Sequence, residues 1–326
     1  MSEYDQTLFV ATKRGVFAFQ REGQDWRQKA HALGGQRITA VSARHGVVLA
    51  GTTGGIYRSH DLGQTWQEAS AGLTVPYVRW LGAHPAATGP FLAGTEPAAL
   101  FLSHDEGGHW QACPEVAELR DEYGWYLPYS CGAGCVRGFS LHGNRVYAAV
   151  EVGGLLRCDD AGEPWQLVQG SSGDPRTVSE GQIHPDVHTV AVHPSSPDLV
   201  LAPTGGGFYR SDNGGKTWTN LYDCYCRAVW LDPADADHIL LGPAEGVNRE
   251  GRIEESLDGG QTWRSASAGL EVPWPRHMVE RFLQVDSELL AVLSNGQLLA
   301  APLDTLAWRR IMAGVPGIEA VAIMAP

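Results

Sequence analysis

Seven tryptophans constrain the fold of this chain more than any other feature. Four segments share the pattern S-x-(D/N)-x-G-x-x-W: SHDLGQTW (59–66), SHDEGGHW (103–110), SDNGGKTW (211–218) and SLDGGQTW (256–263). A degenerate fifth reads CDDAGEPW (158–165), and weaker echoes end at Trp26 and Trp308. Successive spacings of these tryptophans are 40, 44, 55, 53, 45 and 45 residues. A period of this size built from short alternating strands predicts a β-propeller, because one four-stranded blade cannot bury both of its faces alone.

Each unit repeats one grammar. An alternating strand a (VHTVAV, 187–192) ends at His193-Pro194, and strand b follows at 199–202. A glycine-rich tip at 204–207 leads into strand c at 208–211, and the tryptophan opens strand d. The first unit, 7–33, lacks a strand a, while the chain ends with a surplus one, IEAVAIM (318–324). The prediction is an all-β, seven-bladed propeller of four-stranded antiparallel blades, one domain over 1–326. Its C-terminal strand completes the N-terminal blade and removes an open sheet edge.

Composition narrows the functional classes. With 43% apolar and 19% charged residues the chain can bury a core, and disorder is excluded. No apolar run approaches the roughly 18 residues of a membrane span, and the start MSEYDQTLFV lacks a signal-peptide pattern, so a soluble, cytoplasmic protein is expected. The formal net charge of −13 argues against nucleic acid or an anionic membrane as the main partner. The six cysteines then read as reduced thiols rather than a disulfide framework, although Cys131/Cys135 and Cys224/Cys226 all fall on one face.

The four complete segments resemble the Asp-box, or BNR, repeats of sialidases, sortilin-type receptors, xyloglucanases and photosystem II assembly-factor propellers. The resemblance implies the propeller fold and leaves function open, since enzymes and non-enzymes share the repeat. Its residues have structural reasons. The Asp or Asn can hold the c–d turn, the glycine takes a positive φ, and the tryptophan packs between blades.

The repeats also act as an internal control. The b–c tips and d–a crossovers share the face on which propellers usually bind ligands. The two longest crossovers, 113–136 and 170–187, flank blade 4 there. Aligning strand a on its closing turn gives a polar position in every blade: Arg37, Arg79, Arg137, His188, Arg227, Arg281 and Glu319. This ring reads either as a paired structural belt or as an anion-attracting mouth, because arginine offers a rigid fork to carboxylate or phosphate. Aligning the tips compares Thr12, Thr52, Thr95, Glu151, Thr204, Ala244 and Ser294, among which Glu151 is the only acid.

Glu151 and His188 both depart from their repeat positions, in adjacent blades, and mark the candidate site. With Asp186 they are expected to be catalytic, as an acid/base pair or as ligands (Glu151, His188) of one divalent ion, Ca, Mg, Mn or Zn. Arg79, Arg137, Arg227, Arg276, Glu96 and Glu245 are expected to bind substrate, with Trp80, Trp125 and Tyr126 as apolar walls. The leading expectation is a hydrolase of a small anionic ester or phosphoester at the channel mouth. A non-catalytic propeller binding an acidic peptide or ligand is the alternative. A sialidase-like glycosidase is disfavoured: Arg37-Ile38-Thr39 lacks the family's Arg-Ile-Pro proline, and sialidases have six blades.

Overall fold

The computed structural model describes residues 6–23, 25–160 and 164–324. Gln24 in the first echo, and Ala161, Gly162 and Glu163 of the degenerate repeat, lie outside the described residues. Seven four-stranded antiparallel sheets form the ring. In the first, Ile318–Met324 pairs with Thr7–Thr12, so the C-terminal strand closes the N-terminal blade as expected. We number the blades from this one, and letter the strands a to d outward from the axis.

The repeated turn is held by its own side chains. Ser59 Oγ donates to Asp61 Oδ1 (2.8 Å) and accepts from Gly63 N (2.9 Å), while Thr65 N donates to Asp61 Oδ1 (2.9 Å). Ser256, Asp258, Gly260 and Thr262 reproduce the pattern at 2.7, 2.8 and 2.9 Å. The glycine must accept a left-handed backbone: φ is 84° at Gly63, 84° at Gly107, 88° at Gly215 and 95° at Gly260. Hydrogen bonds to its ionised form hold the Asp258 pKa at about 2.

Among the described residues, seven of the eight apolar clusters form where two adjacent blades meet; the eighth is a small one of Leu127, Cys135 and Val152. Each of the seven contains or touches one repeat tryptophan: Trp26, Trp66, Trp110, Trp165, Trp218, Trp263 or Trp308. Two also tie blades together by hydrogen bonds. Trp110 Nε1 donates to Ala69 O and Trp308 Nε1 to Ala266 O, both at 2.8 Å. The tryptophan is therefore the unit of blade-to-blade adhesion.

The sequence left two features of the candidate face unread. Crossover 113–136 contains a helix, Pro114–Tyr123, with proline in its first turn and Gly124 as a left-handed C-cap. In blade 5, strand a is regular only over Ala191–His193. Val187 keeps an isolated bridge to Thr204, and His188 stands in the irregular stretch between. Among the described residues no helix is long and apolar enough to cross a membrane.

Candidate functional site

A β-bulge near the axial end of strand a builds the site. In blade 3, Val78 faces Thr95 and Trp80 faces Gly94, leaving Arg79 unopposed. The same slip leaves Arg137 unopposed in blade 4, Thr39 in blade 2, Glu280 in blade 7 and Glu319 in blade 1. In blade 6 it falls between Cys226 and Val229, around Arg227. Such bulges re-aim side chains. They also correct the sequence alignment. The belt is Thr39, Arg79, Arg137, His188, Arg227, Glu280 and Glu319, so Arg37 lies two residues early and Arg281 one residue late. The tip alignment shifts too. Val150, not Glu151, matches Thr95, so Glu151 is the counterpart of Glu96 and is not a unique acid.

The belt encloses an axial cavity of about 750 Å³ opening on the tip-and-crossover face. Its charges are mostly paired. Arg79 meets Glu96 at 2.7 Å and Arg137 meets Glu151 at 2.9 Å, the same pair in two blades. Glu280 bridges Arg227 (2.6 Å) and Arg137 (3.3 Å), and Glu319 takes Arg37 (2.9 Å) at the rim. Burial alone would disfavour every one of these ions. Arg137 nevertheless stays well above the usual arginine pKa because Glu151 and Glu280 more than offset burial. Glu151, held by Arg137, His188, Tyr129 and Cys135, lies well below the carboxylate range, and Glu280 is lowered likewise by Arg227 and Arg137.

Arg281 is the exception. It lines the cavity, yet among the described residues it has neither a hydrogen bond nor a carboxylate within 4.0 Å. Its guanidinium instead lies 3.7 Å from the ring centroid of Trp80. The two residues hold matching positions just after the bulge, where the other blades carry Ala40, Gly138, Thr189, Ala228 and Ala320. Both also line a lower cavity of about 260 Å³ with apolar walls such as Leu81, Phe139 and Leu283. The stack therefore floors the polar pocket. Burial first, then Arg137, presses the Arg281 pKa down to about 9, against the weaker opposing pull of Glu280 and Glu319.

Blade 5 varies the arginine–glutamate theme. Here the tip residue is Gly205, and a Cβ there would overlap Asp186 Oδ2. Asp186 fills the space and meets His188 Nε2 at 3.3 Å. His188 Nδ1 lies 2.7 Å from the carbonyl of Cys226; a carbonyl only accepts, so Nδ1 carries the proton and Nε2 points at the acids. Tyr225 Oη is 3.3 Å from Nε2 and accepts from both Arg227 Nε and Nη2. Burial pushes the Tyr225 phenol up to about 12 and the Cys135 thiol up to about 12, so neither is a ready nucleophile.

Of the residues proposed from sequence, Glu151, Asp186, His188, Arg79, Arg137, Arg227, Trp80 and Glu96 meet in or against this pocket. His188 and Glu96 stand just behind the lining, against Asp186 and Arg79, and four others lie apart from it. Trp125 is buried between crossovers, donating to Gly173 O at 2.8 Å, so it serves packing rather than a substrate wall. Tyr126 is exposed outside the lining, where Pro128 and Tyr129 stand instead. Arg276 is exposed, and Glu245 points to Arg252 within its own tip at 3.4 Å. Sequence reading missed Glu280 and Tyr225 as site residues. Glu280 occupies the belt position itself and Tyr225 stands two residues before Arg227; both touch the Arg227 guanidinium, a contact that only the bulge register makes legible.

Solved structures share this fold. The structure of YCF48 bound to D1 peptide matches with a TM-score of 0.63 at 18% identity, covering 91% of this chain and 90% of that one. The likeness is one of fold. YCF48 from Cyanidioschyzon merolae matches with a TM-score of 0.63 at 15% identity over 93% of this chain and 98% of its own. An ancestral GH74 enzyme gives 0.64 at 16% identity, and the match spans 97% of this chain but 40% of the enzyme. No family model and no curated protein sequence matches the chain.

Proposed function

We propose that the axial pocket binds a small organic anion and hydrolyses an ester or phosphoester bond within it. The observation that carries this reading is Arg281, a half-buried cation that makes no direct ion pair among the described residues and feels Glu280 and Glu319 only at longer range, in a pocket whose other buried arginines are paired. An arriving carboxylate or phosphate would supply the missing partner while Trp80 holds the guanidinium plane. Glu151, Asp186 and His188 then form the reacting cluster that orients and activates water. Arg79, Arg137 and Arg227 position that cluster and present further donors to the substrate.

The charge states favour ester over glycoside chemistry. A two-carboxylate glycosidase needs one carboxyl raised so that it can donate a proton. Glu151, Asp186 and Glu280 are all lowered, and so are ionised at neutral pH. The non-catalytic alternative draws support from one observation, that the YCF48 neighbour was solved with a peptide. The repeated turn chemistry supports membership of the Asp-box group.

A panel of anionic carboxylic esters and phosphoesters tests the reading. Turnover is expected for the wild type, with Glu151→Gln and His188→Ala each lowering kcat by about 100-fold or more. Activity that survives both substitutions places the chemistry elsewhere. No turnover on the whole panel, with tight capture of an acidic peptide, favours the binding alternative.

A further inference from the structure

The cluster on blades 4 and 5 also has the donor set of a metal centre. One carboxylate oxygen each from Glu151 and Asp186, and a ring nitrogen of His188, lie within 4.8 Å of one another. His188 Nε2 and Asp186 Oδ2 are 3.3 Å apart, the spacing of neighbouring ligands that each sit about 2.1 Å from one ion. The Cys226 carbonyl fixes the Nδ1 proton, so Nε2, which faces the acids, is the nitrogen that can exchange its proton for an ion, as outer hydrogen bonds arrange for metal-bound histidines.

One further observation points to a ligand at this site, and two show that the site can accommodate it. Asp186 Oδ1 is buried and has no hydrogen-bond partner among the described residues, an arrangement that costs stability unless something fills it. Arg137 also holds Glu280 at 3.3 Å, so Glu151 can turn toward an ion without leaving that arginine unpaired. Gly205 leaves the room in which Asp186 stands.

We propose that Glu151, Asp186 and His188 bind one divalent cation of the Mn²⁺ or Zn²⁺ type. One imidazole and two carboxylates suit such ions better than Ca²⁺ or Mg²⁺, which prefer all-oxygen shells. The proposal deepens the hydrolytic reading, since a bound divalent ion lowers the pKa of its water. Its test does not depend on activity.

The full chain, freed of metal by chelator and dialysis, is titrated with MnCl₂ by calorimetry and by the loss of the free Mn²⁺ paramagnetic resonance signal. The expected result is one equivalent bound, with affinity falling at least tenfold in Asp186→Asn and His188→Ala. Gly205→Ala, which displaces Asp186 without removing a ligand, is expected to weaken binding as well, and circular dichroism checks that each variant is folded. No stoichiometric binding by the wild type overturns the proposal, as does binding that folded Asp186→Asn retains in full. Metal binding without turnover keeps the ion site and removes the hydrolytic reading. Turnover by a protein that binds no ion does the reverse.

Discussion

Replacing Arg281 with methionine is expected to weaken binding of a small carboxylate or phosphate by about 100-fold, or about 2.8 kcal/mol. Methionine keeps much of the side-chain volume over Trp80 and removes only the charge and its donors. The same substitution is expected to leave folding stability unchanged or raised, because the cation it removes is pressed by burial and by Arg137 without a direct counter-ion. That pairing of outcomes separates the two readings of the residue. A structural arginine would lose stability, whereas a ligand-binding one loses affinity and relieves strain on the free protein. Isothermal titration with simple anions and urea unfolding of the same two samples read both quantities. Wild-type affinity in Arg281→Met would sink the anion-binding role of the stack.

Glu280→Ala carries the largest expected cost in stability, about 3 kcal/mol, because it strips a shared counter-ion from two partly buried arginines. Arg227 loses its 2.6 Å partner and Arg137 its second carboxylate. The effect should depend on pH in a defined direction. The folded-state pKa of Glu280 lies below the ordinary value of 4.5, so the unfolded chain binds more protons in the acid range. The stabilisation is therefore fully present above about 4.5 and fades as the pH falls through the lowered pKa. Urea midpoints of wild type and Glu280→Ala should stand well apart at neutral pH and converge in acid. By contrast, Glu319→Ala breaks only a rim pair in which Arg37 is 51% exposed, and should cost under about 1 kcal/mol. Equal costs for the two would contradict the belt as described.

The blades were legible because their determinants are local. In four blades a serine, an aspartate or asparagine and a positive-φ glycine close the turn within eight residues, and the tryptophan that follows marks one interface between neighbours. Closure of the ring was legible from a missing strand at one end and a surplus one at the other. The bulge was not, since a one-residue slip leaves the alternation of polar and apolar residues almost intact. It displaced Arg37 and Arg281 from the belt, hid Glu280, and made Glu151 look unique when it repeats Glu96. Trp125 was misread for a different reason. Its burial depends on Gly173, 48 residues away on another crossover, and nothing near Trp125 in sequence announces that contact. His188 was legible because it stands where most blades carry arginine, whereas Asp186 was legible only as its neighbour on the crossover; that it occupies the space of a tip glutamate is visible only in the fold.

The most direct test of the account is a crystal structure of the protein with a small, hydrolysis-resistant alkyl phosphonate. The phosphonate is predicted to sit on the Arg281 guanidinium above Trp80, with its phosphorus facing Glu151 and His188 and its alkyl group toward Tyr129 and Val247 at the mouth. A phosphonate bound on the opposite face among the c–d turns, with Arg281 still stacked alone on Trp80, would contradict it.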